Sequence, residues 1–273
     1  MPSVLITIFL LFWSPIEAKD PPSVPVKASA KLFGFDEGLR PLKLTLPSKW
    51  RAADCGECHV SAYKSWQNSR HNHSWSNNLL QEGFVREPQS PCVNCHAPLA
   101  EQAAEVKSNL AWYLARGQLR HDEAEVIKYQ PETLAAEGIT CVVCHVRGGM
   151  VLSSSPDEHS PHPVQQIDEY SGPELCKGCH EFHFPVIENG RFMAGKVAAQ
   201  STITEWERWR AEGGKESCVD CHMPNGSHAF PGAHDRKMLA ESINVNIRQQ
   251  NQQVVFQLSA NNVGHHLPTG DIL

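Results

Sequence analysis

Ten of the 273 residues are cysteines and 15 are histidines, and the two types are not scattered independently. Every cysteine belongs to a C-x-x-C-H unit: Cys55-Gly-Glu-Cys58-His59, Cys92-Val-Asn-Cys95-His96, Cys141-Val-Val-Cys144-His145, Cys176-Lys-Gly-Cys179-His180 and Cys218-Val-Asp-Cys221-His222. At this composition chance supplies about 0.02 copies of the unit. Two thiols three positions apart share a helical turn and can each form a thioether with one of a haem's two vinyl groups, and the histidine that follows reaches the iron. Competing chemistries leave that histidine unexplained. Zinc sites pair C-x-x-C units with each other or with histidine pairs, and a disulfide framework has no use for a histidine after each second cysteine. The spacing therefore predicts five covalently bound haem c groups, with His59, His96, His145, His180 and His222 as proximal iron ligands.

Each iron has a second axial position. Ten histidines remain to fill five such places: His71, His73, His121, His159, His162, His183, His228, His234, His265 and His266. Methionine is the competing ligand, but beyond Met1 there are only Met150, Met193, Met223 and Met238, and Met223 directly follows His222 and cannot fold back onto the same iron. This balance predicts His/His coordination, which gives low reduction potentials.

The elements that must position these groups are partly legible. Helices are expected over 59–68, 99–116 and 202–212. In the second, Ala103, Val106, Leu110 and Tyr113 recur at helical spacing and should face the core or a haem. Residues 242–259 switch to a period of two: Ile243, Val245 and Ile247 alternate with polar residues, as do Val254, Phe256 and Leu258, with Gln249–Gln253 between them. That is a β-hairpin. Residues 54–238 hold all five units and form the haem domain, and 239–273 begin a β segment. Apolar residues make up 41% of the chain and aromatic residues 8%, a modest supply that packed haems would supplement.

The apolar run Val4–Trp13, followed by Ser14, Pro15 and Ala18, has the length of a signal-peptide core and is too short for a membrane span. Residues 1–18 are read as an export signal, placing the mature chain in the periplasm or outside the cell with no transmembrane segment. Residues 19–53, punctuated by Pro21, Pro22, Pro25, Pro41 and Pro47, are read as an extended arm. The formal net charge of −6 argues against nucleic acid as a partner. Haem propionates make the surface more acidic still, so a redox partner should present a positively charged docking surface and bind more weakly in salt.

The stretch from Cys55 to His71, CGECHVSAYKSWQNSRH, resembles the opening of the multihaem c-type cytochromes, the class that contains the nitrifier tetrahaem cytochrome, hydroxylamine oxidoreductase and pentahaem nitrite reductase. Glu137–His145, Glu216–Pro224, Ser227–Asp235 and Asn261–Gly270 match the class as well, so the resemblance runs from about Asp54 to the end. It implies a mainly α, haem-packed fold with few strands and a small C-terminal β-hairpin. It also implies distal ligation by His71, His162, His228, His234 and His265, with His121 in reserve and His183 a local polar contact. In relatives the last of these motifs usually precedes further strands, so the sequence is expected to be truncated at its C-terminus, or the hairpin to pair with another chain as a homo- or hetero-oligomer.

Three functions fit. Closely packed haems with both axial positions filled carry electrons without substrate chemistry. A reductase or oxidase of a small nitrogen or sulfur compound would need one open haem with acid/base groups nearby, for which His121, His159, Arg120 or Arg147 could serve. The pentahaem nitrite reductases use C-x-x-C-K at the active haem, however, and all five units here end in histidine. A cytochrome filament subunit would use the hairpin and the arm for chain-to-chain contacts.

Overall fold

The computed structural model describes residues 50–86, 90–106, 133–147, 150–154, 160, 162, 164–166, 172–188 and 191–270. The export signal, nearly all of the proposed arm, His121 and His159 lie outside them. Short helices dominate: α1 (Ala52–Gly56), α2 (Val60–Gln67), α3 (Asn78–Arg86), α4 (Ser90–His96), α5 (100–106), α6 (Cys141–His145), α7 (Glu174–His180), α8 (Thr202–Ala211), α9 (Cys218–His222) and α10 (Arg236–Ser242). Their brevity follows from the motif chemistry. A C-x-x-C-H unit needs a single turn, and four of these helices are little more than the unit itself.

Strands are more extensive than expected. β1 (Val146–Arg147), β2 (Met150–Ser153) and β3 (Val164–Gln166) form a small mixed sheet, β4 (Glu181–Glu188) pairs with β5 (Arg191–Ser201), and β6 (Ile243–Gln250) pairs with β7 (Gln253–Ala260). The β6–β7 hairpin is the one anticipated. The β4–β5 hairpin was not, although its signal is present: the register pairs Glu188 with Arg191, leaving Asn189-Gly190 between them, a dipeptide that favours tight hairpin turns.

The apolar core is small and lies in the first part of the chain. Trp75, Phe84, Val93, Ala97, Val106 and Ala135 form one cluster, and Leu99, Val142 and Val146 form another with Trp50 packed against it. Val106 and Ala103 thus take the packing role expected of α5. From residue 172 onward, Ile203 is the one fully buried large hydrophobic among the described residues.

Polar groups lock the first part together. Glu137 accepts from the Ala52 amide and the Thr140 hydroxyl and pairs with the Arg51 guanidinium at 2.8 Å, tying α1 to the turn before α6. Buried Trp66 donates from its indole to the Ile139 carbonyl at 2.8 Å. Gln102, fully buried, accepts from the Leu99 amide and donates to the carbonyls of Leu134 and Gly138. Replacing Gln102 by leucine removes three buried hydrogen bonds, those to the Leu99 amide and to the carbonyls of Leu134 and Gly138, the last of which keeps the Thr140 amide as a donor, so we expect a loss of about 2–4 kcal/mol. Guanidinium unfolding of the haem-loaded protein measures it, and an unchanged midpoint would show that these three bonds are dispensable.

Candidate haem-binding sites

Each C-x-x-C-H unit closes a helical turn. In the first, the His59 amide donates to the Cys55 carbonyl at 2.8 Å, and His59 opens α2. The others occupy α4, α6, α7 and α9. The turn of the fifth unit has a capped start, where Ser217 and Asp220 form a reciprocal capping box at α9. None of the ten cysteines is joined to another by a disulfide. Thiols of different units touch: Cys55 with Cys141, Cys95 with Cys179, and Cys176 with Cys218, while Cys144 lies near Cys176. The first unit is therefore beside the third, and the fourth touches the second and fifth and approaches the third.

The histidines show the most informative geometry. His59 faces His162 with ring centroids 6.3 Å apart, His180 faces His71 at 6.4 Å, His145 faces His228 at 6.1 Å, and His222 faces His265 at 6.1 Å and nearly parallel. These rings do not stack. Two imidazoles bound to one metal ion from opposite sides, through bonds of about 2 Å, have centres roughly 6–6.5 Å apart. Four of the five histidines expected as distal ligands thus stand opposite a motif histidine. The fifth, His234, is exposed and faces no motif histidine, and His96 faces no second histidine among the described residues.

Five of the histidines are anchored through one ring nitrogen. The Nδ1 atoms of His96, His145, His222, His228 and His265 lie 2.7–3.2 Å from the main-chain carbonyls of Ser74, Leu152, Pro231, Gly226 and His266. An Nδ1–H donated to a carbonyl leaves Nε2 free to bind metal and fixes the ring's orientation. Burial disfavours the protonated form of several rings of these sites. Desolvation, then repulsion from His180 and His222, lowers His71 to about 3. Desolvation, then His222 and His265, lowers His180 to about 4. Burial also pulls His96, His222 and His228 down.

Several supporting residues carried no sequence signal. Phe230 packs on His71 at 4.1 Å between centroids and edge-on to His228 at 6.1 Å, from a left-handed backbone at φ 48°. Phenylalanine adopts that conformation only where the surroundings enforce it. Ser74 donates its hydroxyl to the His96 carbonyl and accepts from the Ile139 amide. Gln200 faces His180 Nδ1 at 3.1 Å.

A haem fits this arrangement: paired thiols on a helical turn, an imidazole opposite in four cases, and a second half of the chain that buries little apolar surface of its own. Such sites define a multihaem c-type cytochrome, which binds haem covalently and transfers electrons. The chain belongs to the family described as outer membrane cytochrome MtrC/MtrF-like, domains II/IV, whose match spans residues 92–235, just over half its length. Residues 54–117 match the family of cytochrome c554 and c-prime. Among solved structures, a penta-heme cytochrome c552 from Thermochromatium tepidum shares the fold, with 19% identity and a TM-score of 0.54 over 81% of this chain and 68% of that one. No curated protein sequence matches the chain.

Gly138 joins three of these sites. Its φ is +55°, and a β-carbon there would collide with the Ser74 hydroxyl and the His71 carbonyl oxygen. Gly138→Ala should displace the segment that carries both His71 and Ser74. The expected result is altered signals from the haems of the second, third and fourth units, which this segment supports, with the signal of the fifth unit's haem unchanged. Electron paramagnetic resonance reads this directly, and an unaltered spectrum would show that the segment tolerates the added methyl group.

Proposed function

We propose that this chain is an exported pentahaem electron carrier in which His59/His162, His180/His71, His145/His228 and His222/His265 form bis-histidine sites. The observation that carries the reading is the set of four facing ring pairs at 6.1–6.4 Å. Bound haem supplies reversible one-electron iron chemistry. The chain's own residues hold each pair of imidazoles at its spacing, direct each anchored Nδ1–H to its acceptor, and keep neighbouring units in contact. Filled axial positions leave no place for a substrate, so such sites exchange electrons only.

The second unit is where the alternative would reside. His96 faces no described histidine, and an open iron there would make the protein a reductase or oxidase of a small nitrogen or sulfur compound. His121 is the candidate that would close it. Export is supported by the apolar run at 4–13 and by the family's description as outer membrane cytochromes. A positively charged redox partner follows from the acidic balance. Contact with a second chain through β6–β7 is supported by one apolar face of that hairpin, where Val245, Ile247, Phe256 and Leu258 are 57–68% exposed.

Haem content by pyridine haemochrome, combined with resonance spectra of the ferric protein, tests this reading. Five haems with at least four low-spin centres are expected. A stoichiometric high-spin centre would move the function toward catalysis, and fewer than four low-spin centres would sink the bis-histidine assignment.

Acid titration supplies a second test. His71 and His180 titrate in the fold at about 3 and about 4, below the ordinary 6.5, so the fold favours their neutral forms. Their contribution to stability is complete above pH 6.5 and erodes as pH falls toward 3. With both rings held in their neutral form, the low-spin signal of that site should persist at pH 5. Its loss by pH 6 would contradict the pairing.

A further inference from the structure

We infer that Gln200 is a positioning residue that tunes the iron ligand His180, and with it the haem of the fourth unit. This rests on the electron-transfer reading above. Five other histidines of the sites face main-chain carbonyls, which are fixed acceptors. His162 faces the hydroxyl of Ser160, two residues away. His180 instead faces a side-chain amide twenty residues along the chain, at the end of β5, at 3.1 Å.

Gln200 is held in place from two sides. Its amide lies 2.9 Å from the Thr202 hydroxyl, which is 2.9 Å from Thr269 Oγ1, and Thr269 donates to Glu205 Oε2 at 2.7 Å. On the other side runs the backbone of Gly270, at φ +70°, where a β-carbon would stand 2.5 Å from Gln200 Cδ. Glycine at 270 leaves room for the amide to reach His180. The segment that ends there also carries His265, which faces His222, so the support for His180 and the partner of His222 share one scaffold.

When His180 binds metal through Nε2, its ring proton sits on Nδ1. The amide then presents Oε1, because the oxygen and nitrogen of a glutamine exchange places by rotation about the last bond. Oε1 accepts from Nδ1–H, and the hydroxyl chain turns with it: Thr202 donates to the same oxygen, Thr269 donates to Thr202, and Glu205 Oε2 keeps the His266 amide as its donor. The strength of this acceptor sets the basicity of the imidazole. A stronger acceptor stabilises ferric iron and lowers the potential, and a missing one raises it.

The position makes this matter. Cys179 touches Cys95, Cys176 touches Cys218, and Cys144 lies near Cys176, so the fourth unit adjoins three others. Electrons passing between the second, third and fifth units meet there.

The test is a spectroelectrochemical titration of the haem-loaded full chain and two variants. Gln200→Glu should lower one midpoint potential and Gln200→Leu should raise the same one, with the others moving much less. Five unmoved potentials at full haem content would overturn the assignment, as would a uniform shift of all five. If Gln200→Leu fails to retain its full haem complement, Thr202→Val decides. Loss of that hydroxyl must still shift the same single potential, and no shift refutes the role. Single-potential shifts in a protein that passes no electrons to any redox partner would sink the carrier reading and leave the Gln200 assignment standing.

Discussion

Two imidazole rings held about 6 Å apart, on either side of a slot wide enough for a flat cofactor, cannot come from one helical turn. Four of the motif histidines lie 6.1–6.4 Å from a ring delivered by a distant piece of chain. This constraint organises the molecule. His59 depends on the loop at 162, His180 on the segment after α2, His145 on the turn at 228, and His222 on the segment after the last hairpin. The chain doubles back repeatedly because each cofactor site is a long-range contact.

Those contacts explain how the framework is built. The segment carrying His71 is fastened by the His71 carbonyl, which accepts from the Ile139 amide, and by Ser74, which bonds both Ile139 and His96. The same stretch, 137–140, leads directly into the third unit. One short run of backbone thus fixes the segment that brings His71 to 6.4 Å from His180, the anchor of His96 in the second unit and the start of the third. The tight approach at Gly138 is the steric consequence. In the later half, Glu181 performs a comparable service. Immediately after His180, its carboxylate accepts from the amides of Ile203 and Thr204 and the hydroxyl of Thr204, joining α8 to the fourth unit where Ser201 makes no side-chain cap of its own.

The distribution of apolar burial has the same origin. Before residue 153, indole, phenyl and aliphatic groups pack into clusters that could hold a small fold. After residue 172, large hydrophobics such as Phe184, Val197, Phe256 and Leu258 are exposed. A chain region that buries so little of its own apolar surface does not offset the entropy of ordering it, and large flat apolar cofactors bound covalently on helical turns supply the missing contacts.

By itself the sequence determined the covalent chemistry: ten cysteines and five histidines at a spacing that one helical turn converts into haem attachment. It also determined the C-terminal hairpin, through period-two alternation, and helices α2 and α8. These are local properties, set by residues within a turn or two of one another. Tertiary structure alone decided which histidine rings lie about 6 Å apart, that Phe230 packs against both His71 and His228, and that the Gln200 amide lies at Nδ1 of His180. Nothing near His71 in sequence refers to His180. Their encounter depends on how segments far apart in the chain are brought together, and a one-dimensional pattern carries that information only through the packing it eventually produces.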